Sequence, residues 1–449
     1  AKNTRAQIKV SALNIKGRGA ESIQHPKHKW HDDIHRMLFD DKIGVLVVTE
    51  THLSAAQAAE IQDDPLMGKR IEVFNSIDVE RPNSKGVAIV LNKDITNVEG
   101  VKTRRLIPGR AILAVLPWHN KLTLTVLAVY APADSMTENR AFWEKLTNLW
   151  LTEDLPVPDM FLGDTNIVED TVDRFPHRTD DAGATQALAR FKQILEMKDG
   201  WRLTNPDEKA YTFTSTAGTS HSRIDRVYTS PDLFKRCRNW EISDTPGELT
   251  DHKLVSVTVC APGAPFIGPG RYTIPLFLLK DKKFITFAIE EGAKLQDTPA
   301  GDDLQIRYRK YKVDIVAYAR ERAKESVGAT EEKRKLKQTE RDNILNPPNG
   351  SNPDLSEDGQ RKNAAKVGEL EREIKVLMSR QRARNRMATK IRYRNELDSI
   401  TKFTVSVHKD KKSRDTMNVL RRTDVTPNQT KTRSDQMAEL ARDYHNDLQ

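Results

Sequence analysis

Six short segments carry polar residues of kinds that a strand end does not require. Leu13-Asn14-Ile15, Val48-Thr49-Glu50-Thr51-His52 and Gly163-Asp164-Thr165-Asn166 each close an apolar run, and Thr250-Asp251-His252 precedes one. Val129-Tyr130-Ala131-Pro132 and Ser222-Arg223-Ile224-Asp225 complete the set. Taken singly, these are ordinary turn and cap residues. Taken together, they supply metal-assisted attack on a phosphoester. Glu50 and Asn14 offer the hard oxygen ligands that Mg2+ prefers. Asp164 and Asn166, two apart, can hold an attacking water between an acceptor and an amide. Asp225 can orient His252 and keep it protonated beside an anionic phosphate, and Tyr130 can donate to a phosphate oxygen. Metal, water, base and charge stabiliser are the parts such a reaction needs.

The elements that must hold these residues are legible in the hydropathy pattern. Residues 7–13 alternate, with Ile8, Val10 and Ala12 apolar, and residues 43–48 are apolar apart from Gly44. Further strands are predicted at 87–91, 111–117, 122–130, 159–162, 223–228 and 254–260, with a hairpin loop at 118–121. Helical patterns fall near 30–39, 141–151 and 187–197. Strands joined by both hairpins and helical crossovers imply a mixed sheet rather than a purely parallel winding.

Pro262-Gly263-Ala264-Pro265 and Gly268-Pro269-Gly270 break any regular element, so a boundary is expected within 261–272. Beyond it the chain reads as helical. Leu304, Tyr308, Tyr311, Ile315 and Tyr318 form an amphipathic stripe, and Val367, Leu370, Ile374 and Leu377 begin another that runs into alternating arginines from Arg380 to Arg386. Residues 346–354, with three prolines, read as a loop. The charge follows the same division. Residues 1–260 hold 34 Lys and Arg against 36 Asp and Glu, and residues 261–449 hold 39 against 28, within a net charge of +9. A basic half suggests a polyanionic partner, although a solvated helical surface would look the same. No run approaches the roughly 18 apolar residues of a membrane span. The sequence starts at Ala1 without a charged-then-apolar leader, so no secretory signal is expected. Cys237 and Cys260 are too few for a disulfide framework or a cysteine zinc site.

Residues 7–260 resemble the endonuclease/exonuclease/phosphatase superfamily, with its deoxyribonuclease-I-like fold. The resemblance rests on the ordered set Asn14, Glu50, Tyr130, Asp164, Asn166, Asp225, Asp251 and His252. It implies an α/β (α+β) four-layer sandwich, two mixed β-sheets face to face and flanked by helices, here followed by a helical C-terminal extension. It implies Asn14, Glu50 and Asp251 as ligands or outer-shell partners of Mg2+, or of Mn2+ in its place. By the same resemblance Asp164 and Asn166 handle the water, Tyr130 and His252 contact the scissile phosphate, and Asp225 pairs with His252. Glu50-Thr51-His52-Leu53, Tyr130-Ala131-Pro132 and Ser222-Arg223-Ile224-Asp225-Arg226-Val227-Tyr228 are similar to the endonuclease of non-LTR (LINE-type) retrotransposons. Gly268-Pro269-Gly270-Arg271-Tyr272, Lys409-Asp410-Lys411-Lys412 and Met437–His445 resemble the stretch between that nuclease and the reverse transcriptase.

The organisation expected is a catalytic domain at 1–260, a linker at 261–272 and a basic helical region at 273–449 upstream of a polymerase. The function expected is a Mg2+-dependent DNA endonuclease that leaves a 3′-hydroxyl to prime reverse transcription. Expected partners are DNA, element RNA through the basic region and the downstream polymerase, with no membrane. The expected location is intracellular, and nuclear when active. An abasic-site repair endonuclease, a lipid or inositol-phosphate phosphatase of the same fold, and a non-catalytic nucleic-acid-binding remnant are the alternatives. Many relatives carry Asn or Asp two residues after the first Asn; here Lys16 stands there and is expected to face the DNA backbone, which puts a second metal in question. Ser222 and Arg223 are further DNA contacts expected. His25, His28, His31 and His35 cluster around Trp30 without a recognisable third ligand, and Trp118 and Trp143 read as packing residues.

Overall fold

The computed structural model describes residues 4–17, 33–64, 68–78, 85–245, 249–262, 281–295, 304–325, 329–348, 356–396, 419–425 and 427–448, with isolated positions 80, 264, 274, 278, 279 and 417. It divides into two compact units, one made of Ala1–Ala264 with Lys337–Met417, the other of Pro265–Leu336 with Asn418–Gln449. The first stretch ends at the expected boundary. Lys337–Met417, expected within the separate helical region, belongs to the same unit as the sandwich.

In the first unit the strands are β1 (Gln7–Asn14), β2 (Ile43–Thr49), β3 (Ile71–Ser76), β4 (Val87–Asn92), β5 (Lys102–Ile107), β6 (Ala111–Pro117), β7 (Thr123–Tyr130) and β8 (Met160–Asp164). They continue as β9 (Arg174–Phe175), β10 (Lys198–Asp199), β11 (Phe213–Thr214), β12 (His221–Ser222), β13 (Asp225–Thr229), β14 (Cys237–Ser243) and β15 (Leu254–Cys260). One six-stranded sheet has the order β14-β15-β1-β2-β4-β3 and the other β10-β13-β8-β7-β6-β5; β11-β12-β9 form a small third sheet. Each large sheet holds one parallel pair, β1 with β2 and β7 with β8, among antiparallel neighbours. Both sheets are therefore mixed.

Strand alternation builds the layers. Val10, Val45, Ile89, Val257, Ala114, Val126 and Leu162 meet in one core drawn from both sheets. The opposite faces of the same strands supply two outer cores. Leu13, Leu46, Val48 and Val90 pack under helices α1 (His35–Asp40) and α2 (Ala55–Asp63), through Leu38 and Ile61. Leu127, Val129, Phe161 and Tyr228 pack under α3 (Met136–Thr152) and α4 (Ala182–Ile194), through Trp143, Leu188 and Phe191. Trp143 is fully buried against Phe191, and Trp118 sits in the central core, as packing residues should. Strands covered on both faces read as continuous apolar runs, which is why β2, β4 and β7 stand out in the sequence. The α2 helix starts with a capping box, Ser54 and Gln57 bonding each other's backbone amides. Short helices α5 (Gly200–Thr204) and α6 (Pro231–Phe234) complete the sandwich.

The second unit contains α7 (Lys282–Ala293), α8 (Leu304–Glu325) and the start of α9 (Ala329–Leu345). Tyr318 of α8 stacks on Phe287 at 4.0 Å between ring centroids, and Leu278, Phe284 and Ala319 form a small core. The expected aromatic stripe is thus packed at Tyr318, whereas Tyr308 is half exposed. A two-stranded ribbon, β16 (Leu420–Arg422) with β17 (Gln429–Lys431), lies in this unit together with the last helix, Ser434–Leu448. The helix Glu357–Glu396, here α10, returns to the first unit, and the last helix is α11. No helix among the described residues is long and apolar enough to cross a membrane.

Candidate active site

The two parallel pairs carry the chemistry to one edge of the sandwich. Asn14 ends β1 opposite Thr49 of β2, and Glu50 follows at once. Tyr130 ends β7 opposite Asp164, the last residue of β8, and Asp225 opens β13 opposite the same Asp164. His252 lies just before β15, which runs antiparallel beside β1. Asn14 Nδ2 donates to Glu50 Oε1 at 2.8 Å and to Asp164 Oδ2 at 2.9 Å, so one amide joins the two sheets. The Tyr130 hydroxyl donates to Glu50 Oε1 at 3.0 Å. The amide N–H of Asn166 donates to Asp164 Oδ1 at 2.9 Å, and its Nδ2 to the Ala131 carbonyl at 2.9 Å. His252 Nδ1 lies 2.7 Å from Asp225 Oδ2.

Holding these groups at strand ends takes strained backbone. Lys16, Glu50, His52 and Asn166 all have left-handed φ values near +50°. Such conformations cost non-glycine residues about 1–3 kcal/mol each and concentrate at functional sites. Gly163 is required before Asp164: its φ is +141°, and a Cβ there would meet the Val129 carbonyl oxygen at 1.9 Å.

Charge is crowded at this edge. Burial, then the Asp225 carboxylate, pushes the Asp164 carboxyl up to about 7, against the opposing pull of His252 and the Asn14 and Asn166 bonds. Burial disfavours a charged His252, but Asp225 overrides it, with Asp164 and Asp251 adding, and the imidazole rises to about 9. Burial, then Glu50 and Asp164, pushes the Tyr130 phenol upward, so it remains a hydrogen-bond donor. Burial alone would raise Asp251; the Lys16 bond and the His252 charge outweigh it and hold the carboxyl below its ordinary value. Because the folded pKa of His252 exceeds its ordinary value of 6.5, the Asp225–His252 pair contributes its full stability below that pH and loses it as pH rises through about 9. In metal-free protein, ring-carbon NMR of His252 is expected to titrate near 9, and Asp225→Asn to lower that midpoint by about one unit or more. A midpoint that ignores the substitution would show that Asp225 does not govern the imidazole.

The residues fit a small hard cation. Glu50, Asp164, Asp225 and Asp251 bring four carboxylates to this edge, beside the cations Lys16 and His252. Asp225 Oδ1 is buried with no hydrogen-bond donor, and ligand atoms of Asp164, Asp225 and His252 lie within 4.8 Å of one another. Both hydrogen bonds to the Glu50 carboxylate among the described residues fall on Oε1. Oxygen-rich sites of this charge suit Mg2+ or Mn2+. Asn14 Oδ1 accepts the Lys16 amide at 2.9 Å, while its Nδ2 is the atom turned toward Glu50 and Asp164.

Two of the three expected DNA contacts are buried. The third, Lys16, pairs through Nζ with Asp251 Oδ2 at 2.8 Å while its side chain stays 60% exposed. Ser222 is buried in β12, paired with Arg174 of β9. Arg223 is 1% exposed and holds Asp173 with Nε at 2.7 Å and Asp199 with an η-nitrogen at 2.8 Å. Arg226 bonds the same two carboxylates, both at 2.9 Å, and Arg202 also pairs with Asp173. The Ser222-Arg223-Ile224-Asp225-Arg226 run is therefore an internal ion-pair frame behind Asp225. His25, His28, His31 and Trp30 lie outside the described residues, as do Gly268–Tyr272 and Lys409–Lys412.

Sequence reasoning missed the residues that fix the site through the backbone. Thr212 Oγ1 accepts the amides of Ile224 and Asp225 at 3.1 and 3.0 Å. Thr250 Oγ1 donates to the Asn14 carbonyl at 2.7 Å and accepts the His252 amide at 3.1 Å. Asn139 Nδ2 spans the carbonyls of Pro132 and Thr165. Only the Thr-Asp-His adjacency hints at any of them.

Residues 13–252, over half of the chain, match the model of the Endonuclease/Exonuclease/phosphatase family. The chain is 30% identical over 183 residues to the Transposon TX1 uncharacterized 149 kDa protein of Xenopus laevis, covering 39% of this chain and 13% of that protein. Similar solved structures include the AP endonuclease LMAP from Leishmania major, at 16% identity and TM-score 0.46, covering 57% of this chain and 88% of that one. The endonuclease domain of TRAS1, a telomere-specific non-LTR retrotransposon, shares 16% identity at TM-score 0.39, covering 56% of this chain and 98% of the domain.

Proposed function

Because the chain belongs to the Endonuclease/Exonuclease/phosphatase family, we propose that it is the divalent-metal-dependent DNA endonuclease of a non-LTR retrotransposon, nicking one strand to leave a 3′-hydroxyl. The observation that carries the reading is the single hydrogen-bonded edge at which Asn14, Glu50, Tyr130, Asp164 and Asn166 meet beside the Asp225–His252 pair. The transposon protein among its relatives supports the retroelement setting.

Mg2+ bound among these carboxylates would polarise a phosphoryl oxygen and balance the charge that develops there. Asp164 and Asn166 hold the attacking water, and Asp164, with its pKa near the working pH, takes the water's proton. The water oxygen bonds to phosphorus and the P–O3′ bond breaks. The 3′-oxygen takes up a proton, leaving a 3′-hydroxyl and a 5′-phosphate. His252 keeps its proton through neutral pH and donates to a non-bridging oxygen, as does Tyr130. The basic C-terminal half adds sequence-independent phosphate contacts and, in the intact element, leads to the polymerase. On this reading the protein is intracellular, and nuclear when active.

The test is nicking of a supercoiled plasmid with Mg2+ or Mn2+, with an EDTA control and end analysis of the product. The expected result is metal-dependent open circles with extendable 3′ ends. No nicking with either metal would sink the reading. A strong preference for abasic over intact duplex would instead identify a repair nuclease.

A further inference from the structure

The segment Thr250-Asp251-His252-Lys253 is gripped by residues more than a hundred positions further along the chain. Helix α10 lies against the small sheet of the same unit. Gly368 comes so close to the Gly218 turn that a Cβ on it would meet the Gly218 carbonyl oxygen at 1.9 Å. His221 Nε2 is 2.9 Å from the Ala364 carbonyl, and Ala364 and Val367 pack with Phe175, Tyr211 and Leu345. Along the same helix face, Glu371 Oε1 is 2.6 Å from Lys253 Nζ and 3.1 Å from an η-nitrogen of Arg341, while Asp244 Oδ1 meets those two cations at 3.1 and 2.8 Å. One turn on, the Lys375 ammonium donates to the Asp251 carbonyl at 3.1 Å and to the Thr250 carbonyl at 3.5 Å. Ala364, Gly368, Glu371 and Lys375 follow spacings of four, three and four, which is one helix face.

We propose that α10 forms a working wall of the active site, in which Lys375 and Glu371 are positioning residues that hold the Asp251-His252 segment for catalysis. The proposal rests on the nuclease reading above. Thr250 is the relay. Its carbonyl is held by Lys375, and its hydroxyl is held between the Asn14 carbonyl and the His252 amide. A shift of the helix therefore moves the Asn14 and His252 ends together. Glu371 anchors the next residue, so both flanks of His252 are tied to the same helix. Packing alone does not call for an ammonium here. A methionine would fill the same volume without a partly buried charge, but it cannot donate to the two carbonyls.

The test uses the full chain carrying Lys375→Met or Lys375→Arg, assayed for plasmid nicking with Mg2+, alongside ring-carbon NMR of His252. Lys375→Met is expected to lower kcat about tenfold with KM for DNA unchanged within about twofold, the signature of lost positioning. Lys375→Arg is expected to recover most of the rate. The His252 ring signal should shift in the methionine variant and return in the arginine variant. Full kcat in Lys375→Met with a native His252 signal overturns the proposal. A loss confined to KM also overturns it, since Lys375 would then be a DNA contact. A lowered melting temperature with a native His252 signal reduces the helix to scaffolding and overturns it too. If the wild type fails to nick, the nuclease reading falls, and the His252 signal alone decides whether Lys375 places the segment.

Discussion

Asp164→Ala is expected to abolish nicking, by about 10^3-fold or more, while leaving the protein folded. The side chain receives Asn14 Nδ2 and the Asn166 amide, one on each carboxylate oxygen. Loss of a general base alone costs about 10^2–10^4-fold, and here the water's orientation goes with it. Stability should move the other way. The folded pKa of about 7 lies above the ordinary 3.8, so the folded state is favoured while the group is protonated, and that advantage fades as pH rises through 7. Asp164→Asn, which removes the charge but sets an amide nitrogen against one of the two N–H donors, should gain less thermal stability from added Mg2+ than wild type does. Equal nicking by wild type and Asp164→Ala would remove Asp164 from the mechanism.

Asp173→Ala is expected to be the most damaging single change to the fold. Asp173 is fully buried and is shared by Arg202, Arg223 and Arg226. Burial would raise its pKa, but Arg226 and Arg223 hold the carboxyl well below the usual carboxylate range. Removing it leaves Arg223 and Arg226 to Asp199 and Glu169, and Arg202 to backbone carbonyls alone. Breaking a buried pair in this way costs about 3–5 kcal/mol, to be read from urea unfolding of the full chain. A loss below about 1 kcal/mol would mean that the network relaxes onto its remaining acids. Nicking should fall as well, because Arg223 and Arg226 flank Asp225.

What could be read from the sequence follows from how each element is buried. Strands covered on both faces, such as β2 and β4, announce themselves as apolar runs. Edge strands β5 and β14 do not: β5 reads Lys-Thr-Arg-Arg-Leu-Ile and is exposed over its first four residues. The residues gathered at the site were visible because strand ends have no packing need for acids and amides. Their internal bonding was not. Arg223 has the sequence profile of a DNA contact, and only the positions of Asp173 and Asp199, far away in the chain, make it an internal strut. The bond from Lys16 to Asp251, 235 residues later, was equally out of reach of sequence reading. The part played by α10 was hidden for the same reason. Glu371 and Lys375 look like the solvated face of a charged helix until the fold sets them beside Lys253 and Thr250.

The chain leaves the first unit after Ala264, returns at Lys337 and leaves again after Met417. Its two stretches are thus joined covalently through a detour and held together independently by packing, ion pairs and the glycine contact. A closed detour is insensitive to its own length, since doubling it adds only about 0.6 kcal/mol of closure entropy. Insertions or deletions between 265 and 336 are therefore changes that the catalytic unit can absorb. The same change between Thr250 and Lys253, or within the face from Ala364 to Lys375, is one that it cannot. Variation among copies of such an element would be free to accumulate in the detour and would be resisted where the returning helix lands.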